Sequence, residues 1–194
     1  MPPHVNRNLL SVRRRALGSD PQNRDRRVRP GVARPVRARA RGMREVVGEE
    51  VVSIEHVGST AVPGLAAKPI VDICPVVEDM ETAWRVSDLL DEREWPLVDE
   101  RGDRPWIEHQ RRADDGGMFN VHVRPREAAV ENYLLLREYL RDNPDVRDEY
   151  ARVKREAARE HSDDVAAYTR AKNDVIERAK ERAREEGYEE RIDL

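Results

Sequence analysis

The chain has 194 residues, 39% of them charged and 38% hydrophobic, with one cysteine and a formal net charge of -3, a length that suits one domain with a sizeable core. The lone Cys74 excludes an intrachain disulfide and a multi-cysteine zinc site, and no apolar run approaches the roughly 20 residues a membrane-spanning helix needs. The Arg-rich start has no apolar segment of the secretory kind, so the cytoplasm is the expected compartment.

The charge is unevenly placed. Thirteen arginines against Asp20 and Asp25 put +11 on residues 1–44, which leaves -14 for the rest of a chain whose total is -3. That stretch mixes Arg, Pro and Gly without an amphipathic face and reads as a disordered arm preceding a domain over 45–194. It is a basic arm that touches RNA or DNA, a tail without function, or a misassigned start. An acidic body disfavours nucleic acid as a partner of the domain itself.

In chain order, Ala38 to Val47 retains part of a helix, with Met43, Val46 and Val47 on one side. Val51 to Val57 and Ile70 to Val77 are β-branched strands, and Pro75 is expected at an exposed end or a bulge. Asp79 caps a helix from Met80 to about Arg93. Trp95 to His109 forms short strand pieces around Arg101-Gly102-Asp103. Asp114-Asp115-Gly116-Gly117 is a hairpin turn into a strand from Met118 to Val123, where Asn120 and His122 share a face. Helices follow: Glu131 to about Arg141; one begun by Asn143 as cap and Pro144 as first residue, running to about Glu160; and a last one capped by Ser162 or Asp163. Along that last helix Val165, Tyr168, Lys172, Val175, Ile176 and Ala179 form a stripe, and fraying is expected beyond Arg182.

The chemistry concentrates between the first two strands. Gly58 permits a tight turn, and the hydroxyls and amides of Ser59 and Thr60 form a concave donor set suited to a phosphate oxygen, or else a simple turn. Asp72 is a single carboxylate in an otherwise apolar strand, which calls for a cation or for hydrogen bonds; magnesium is the candidate cation. Lys68, four residues earlier, is a phosphate contact or a surface lysine in a chain that otherwise prefers Arg. His56 and His122 are candidates for a base or metal-ligand pair, and Arg124 for a phosphate contact or a solvated rim residue. Tyr168 and Lys172, four apart on one helix face, either reach into a cleft or pack with the lysine head in water. Tyr150 and Lys154 repeat the pattern.

The run from His56 to Ile73, HVGSTAVPGLAAKPIVDI, resembles the signature of the GrpB family, a divergent branch of the DNA polymerase beta-like nucleotidyltransferases. Val121-His122-Val123, the segment Leu136 to Pro144, and the pairs Tyr150/Lys154 and Tyr168/Lys172 resemble further blocks of that family, so the likeness covers about residues 45 to 185. It implies an α/β (α+β) fold: a small mixed sheet of nucleotidyltransferase type with C-terminal helices. It also implies nucleotidyl transfer with Mg²⁺, the Gly-Ser turn holding phosphates and Asp72 a metal ion, with Asp72 and His122 as catalytic candidates and Gly58, Ser59, Thr60, Lys68, Tyr168 and Lys172 as ligand-binding ones. The expected partner is a nucleotide or another phosphorylated small molecule. Members of the family also occur fused to dephospho-CoA kinase, so a binding module for a nucleotide or coenzyme A-like ligand is the alternative.

One departure bears on that reading. Where the superfamily has a second acid two residues after the first, this chain has Cys74, a poor Mg²⁺ ligand. Glu55, Glu78 or Asp79 replaces the acid, or one ion suffices, or the site only recognises its ligand.

Overall fold

A computed structural model of the chain describes residues 42–194 apart from 69, 102–105, 113–116 and 129. All but the end of the basic arm, the Gly102-Asp103 loop and most of the Asp114 to Gly117 turn lie outside the described residues. Five strands form one mixed sheet: β1 (Ser53–Val57), β2 (Ile70–Val77), β3 (Leu97–Arg101), β4 (Trp106–Arg112) and β5 (Met118–Pro125), in the order β1-β2-β5-β4-β3. Only β2 and β5 run parallel; every other neighbouring pair is antiparallel.

The helices are α1 (42–47), α2 (Met80–Asp91), α3 (Glu131–Asp142), α4 (Pro144–Glu160) and α5 (Val165–Glu185). Asp79 begins α2 as expected, accepting from the Thr82 amide at 2.8 Å. The first helix survives as α1, which buries Met43 and Val47.

Strand alternation divides the sheet into two unlike faces. On one, Val71, Ile73 and Val77 of β2 join Phe119, Val121 and Val123 of β5 and Ile107 of β4 against Ala83, Val86 and Leu90 of α2. Apart from Ala83, each such side chain contributes about 1.5–3 kcal/mol by leaving water. The opposite face begins apolar, with Val57, Cys74 and Val76 packed on Val130 and on Leu134 of α3, and becomes polar toward Asp72 and β5. The loop joining β1 to β2 is pinned to the helices through Val62 and Leu65, which are buried with Leu140, Tyr150, Ala151 and Val175.

Four expectations need correction. Pro75 is buried inside β2, and the β2–β5 ladder passes over it and Cys74, because proline has no N–H to give. Asn143 is the cap residue of α4 and Pro144 its first residue, as expected, but the side chain does not cap; its Nδ2 turns back to the Tyr139 carbonyl at 2.9 Å. The cap of α5 is Asp164, which accepts from the Ala167 amide at 2.9 Å. Beyond Arg182 the chain does not fray: Ala183 and Tyr188 are buried, and the Tyr188 ring meets Tyr139 edge-on at 5.2 Å.

Candidate functional site

Gly58 follows β1 with φ +72°, a left-handed conformation that suits glycine, and a Cβ built there would stand 2.5 Å from Asp72 Oδ2. The close approach brings the Gly-Ser turn onto the carboxylate of the neighbouring strand, as the pairing of Val57 with Asp72 requires. Both open into a cavity of about 470 Å³ between the sheet and the helices. Ser59, Lys68, Asp72, Tyr168 and Lys172 all line it. Thr60 does not: it is buried, and its Oγ1 lies 2.9 Å from His56 Nε2.

The sheet wall is a ladder of charge. Asp72 Oδ1 accepts from Asn120 Nδ2 at 3.0 Å and from His122 Nε2 at 3.1 Å. His122 Nδ1 donates to Glu108 Oε1 at 3.3 Å, and Arg124 Nη2 donates to the same oxygen at 3.2 Å. Burial alone would lower the His122 pKa, but its hydrogen bonds to Asp72 and Glu108, with their charges, raise it to about 9. His122 is therefore an imidazolium held between two carboxylates at neutral pH. The bond from His122 in turn lowers the Glu108 pKa despite burial.

Neighbouring histidines behave differently. Burial, followed by the charges of Arg141 and Arg137, lowers the His56 pKa to about 4 against the pull of Asp72. His56 and His122 have separate partners and form no pair. Arg124 is 1% exposed and donates to the Ile107 and Val123 carbonyls, so it is neither a rim residue nor a phosphate contact.

The helix wall is cationic. Lys154 of α4 donates to Ser59 Oγ at 2.6 Å and to the Ala66 carbonyl at 2.9 Å. Tyr150 behind it is buried, which raises its hydroxyl pKa to about 12. Arg155 and Arg159 of α4 also line the cavity. On α5, Lys172 Nζ lies 4.2 Å from the centre of the Tyr168 ring. Burial, then repulsion from Lys68, lowers the Lys172 pKa. Three of the four lysines in the chain thus face one cavity. Arg137, Arg141 and Arg147 donate to the carbonyls of His56, Ala61 and Pro63, fixing the loop from outside. Glu108, Asn120, Arg155 and Arg159 were not singled out as site residues by sequence; the shared face of Asn120 and His122 was the available signal.

Divalent metal fits this donor set only in part. Cys74 is fully buried, and burial raises its thiol pKa to about 12. Glu55 lies across β1 from Cys74 but is bonded by Arg137 at 2.9 Å. Glu78 pairs with Arg126, and Asp79 caps α2. Among the described residues no three His, Cys, Asp or Glu side chains converge to hold a metal. A pair of carboxylate-bridged ions does not fit. The donor set leaves room for one ion at most, on Asp72, whose Oδ1 is taken by protein donors while Oδ2 faces the turn.

Comparison with known proteins agrees with this architecture. Residues 29–182 match the family described as GrpB protein. UPF0157 protein SCO7215 of Streptomyces coelicolor is 42% identical over 134 residues, 68% of this chain and 69% of that protein. UPF0157 protein YqkA of Bacillus subtilis is 33% identical over 143 residues, and the chain spans only 40% of its length. The dephospho-CoA kinase of Mycolicibacterium paratuberculosis is 31% identical over 162 residues, again with 40% of its length spanned. Among solved structures, the conserved protein GrpB from Enterococcus faecalis superposes with a TM-score of 0.72 at 24% identity, covering 84% of this chain and 99% of that one. The Cid1 poly(U) polymerase with MgGTP bound superposes with a TM-score of 0.51 at 16% identity over 75% of this chain and 50% of that one. The fold is therefore nucleotidyltransferase-like. Among the described residues no helix is long and apolar enough to cross a membrane.

Proposed function

The chain belongs to the GrpB family, and we propose that its cleft binds a nucleotide or closely related phosphate ester, with its phosphates between the Gly58-Ser59 turn and the lysines Lys68, Lys154 and Lys172. The observation that carries this reading is the convergence of Ser59, Lys68, Lys154 and Lys172 around Asp72 in one cavity of about 470 Å³, within the usual size of a small-molecule site. Backbone and hydroxyl donors at a glycine turn suit phosphate oxygens, and lysines serve as point charges for them. Gly58, Ser59, Lys68, Lys172 and Tyr168 would contact the ligand. A bound Mg²⁺ would rest on Asp72 and neutralise phosphate charge, while His122 and Asn120 fix the carboxylate's orientation. Thr60 would act only by shaping the turn.

Nucleotidyl transfer from an NTP to a small acceptor is the second reading, favoured by the fold shared with Cid1, whose structure holds MgGTP. A coenzyme A-like ligand is a related possibility for the binding reading, since the matched region also lies within dephospho-CoA kinases. Titration calorimetry with a panel of NTPs, with and without Mg²⁺, tests binding, and pyrophosphate release tests transfer. Saturable binding that Lys172→Gln weakens supports the cleft. Turnover abolished by Asp72→Ala in protein that circular dichroism shows to be folded would establish the enzyme, whereas absence of binding to every nucleotide in the panel would refute the proposal.

A further inference from the structure

Helix α4 presents Ala151, Lys154, Arg155, Ala158 and Arg159 to the cavity, spaced at steps of three and four and so lying on one helical stripe. The alanines leave room and the cations fill it with positive charge. Lys154 is bonded to the turn, but Arg155 and Arg159 make no hydrogen bond or ion pair among the described residues. Elsewhere on the helix, Arg152 pairs with Glu156 at 3.0 Å. The two cleft-facing arginines stand four residues apart, a repulsive arrangement for like charges in the free protein. Arg159 lies about 7 Å further along the axis than Lys154, given the rise per residue of a helix.

The balance of charge sharpens this. The cavity is lined by Lys68, Lys154, Arg155, Arg159 and Lys172 against Asp72 as its acid, whereas residues 45–194 together carry -14. Such a local reversal in an acidic body favours a compact polyanion over an extended nucleic acid, whose phosphates would run onto the acidic surface. Arginine forks suit a terminal phosphate, which offers several oxygens in one plane.

Resting on the cleft reading above, we propose that Arg155 and Arg159 form a second anion station and that the ligand is a small nucleotide carrying phosphate at two separated positions, one at the Gly58-Ser59 turn and one on the arginine pair. Two nucleotides with equal phosphate number differ in where the phosphate lies: ADP has both at one end, and adenosine 3′,5′-bisphosphate has one on each side of the sugar and about one more negative charge, so the double variant below separates position from general attraction. Titration calorimetry of the full chain should show the bisphosphate binding about ten-fold more tightly than ADP. The Arg155→Gln/Arg159→Gln double variant, whose replaced side chains are exposed, should remove most of that preference while changing ADP affinity less than about three-fold. Circular dichroism confirms its folding. Equal weakening of both ligands, or no preference in the natural protein, overturns the second station while leaving the cleft reading intact. Tighter binding of a 5′-phosphorylated oligonucleotide than of the bisphosphate overturns the small-ligand assignment, and failure of ADP, ATP and the bisphosphate alike to bind overturns both.

Discussion

The two walls of the cleft are built on opposite principles. The sheet wall is a closed set of partners: Asp72, Asn120, His122, Glu108 and Arg124 satisfy one another across β2, β5 and β4, most of them half-buried or deeper. The helix wall is an open one, where Arg155 and Arg159 meet no acid among the described residues and Lys172 rests on a tyrosine ring, with Lys68 of the loop before β2 beside them at the cavity. A satisfied buried network holds structure, and uncompensated charge at a cavity favours a ligand. Substitutions in the sheet wall should therefore unfold the protein before they inform on binding, and those in the helix wall should do the reverse.

The largest effect should come from Arg124→Leu. The guanidinium is almost fully buried and bonds two carbonyls and Glu108, so its loss strands polar groups inside the protein. Breaking a buried pair this way costs about 3 kcal/mol or more, which chemical denaturation would read as a lower midpoint with unchanged slope. A variant as stable as the natural protein would show that the ladder is not a unit. Gly58→Ala comes next, at about 2–3 kcal/mol, combining a positive φ with a Cβ 2.5 Å from Asp72 Oδ2. Because the displaced atom belongs to the site, the same variant should also lose ligand affinity, measured on the fraction that remains folded.

How far the sequence disclosed each wall follows from the same contrast. Asp72 stood out because a carboxylate among Ile, Val and Ile is costly, and the shared face of Asn120 and His122 followed from a period of two. Lys68 was visible as a lysine in an arginine-rich chain, and Lys172 as a polar side chain in an apolar helix stripe four residues from Tyr168. Arg155 and Arg159 were not, because α4 carries charge all around and its cleft stripe holds alanines in place of large apolar residues. Arg124 was misjudged from its place near a strand end, since its burial depends on β4 and on Tyr133 of α3. The tail was misjudged because six charged residues from Arg182 to Glu190 conceal Ala183 and Tyr188, which only the fold brings against Tyr139.

The sheet-wall histidines give the comparison a pH signature of middle size. His122, raised to about 9 from 6.5, binds a proton more readily in the folded chain, so its contribution is complete below 6.5 and is lost as pH rises through 9. His56, lowered to about 4, is held neutral on folding, so stability falls as pH drops from 6.5 toward 4. Stability should peak near pH 6.5, with on the order of 3 kcal/mol of the alkaline loss traceable to His122. In His122→Gln the alkaline limb between 6.5 and 9 should flatten while the acid limb persists; a limb that keeps its slope would assign the loss to another group.

The smallest effect on stability should fall in the helix wall, where Lys154→Met removes the bonds to Ser59 Oγ and Ala66 O but retains most of the side chain's packing near Tyr150. The cost should be about 1 kcal/mol or less, since the lysine is only partly buried and water can replace it. Its effect on ligand should be larger, about ten-fold in affinity for a nucleotide, because the ammonium both orients Ser59 and supplies charge to the cavity. Ser59→Ala separates these two roles. If it matches Lys154→Met in affinity, the lysine acts through the hydroxyl. If it leaves affinity nearly unchanged, the charge itself is what the ligand meets, and the helix wall contributes as a field more than as a set of fitted bonds.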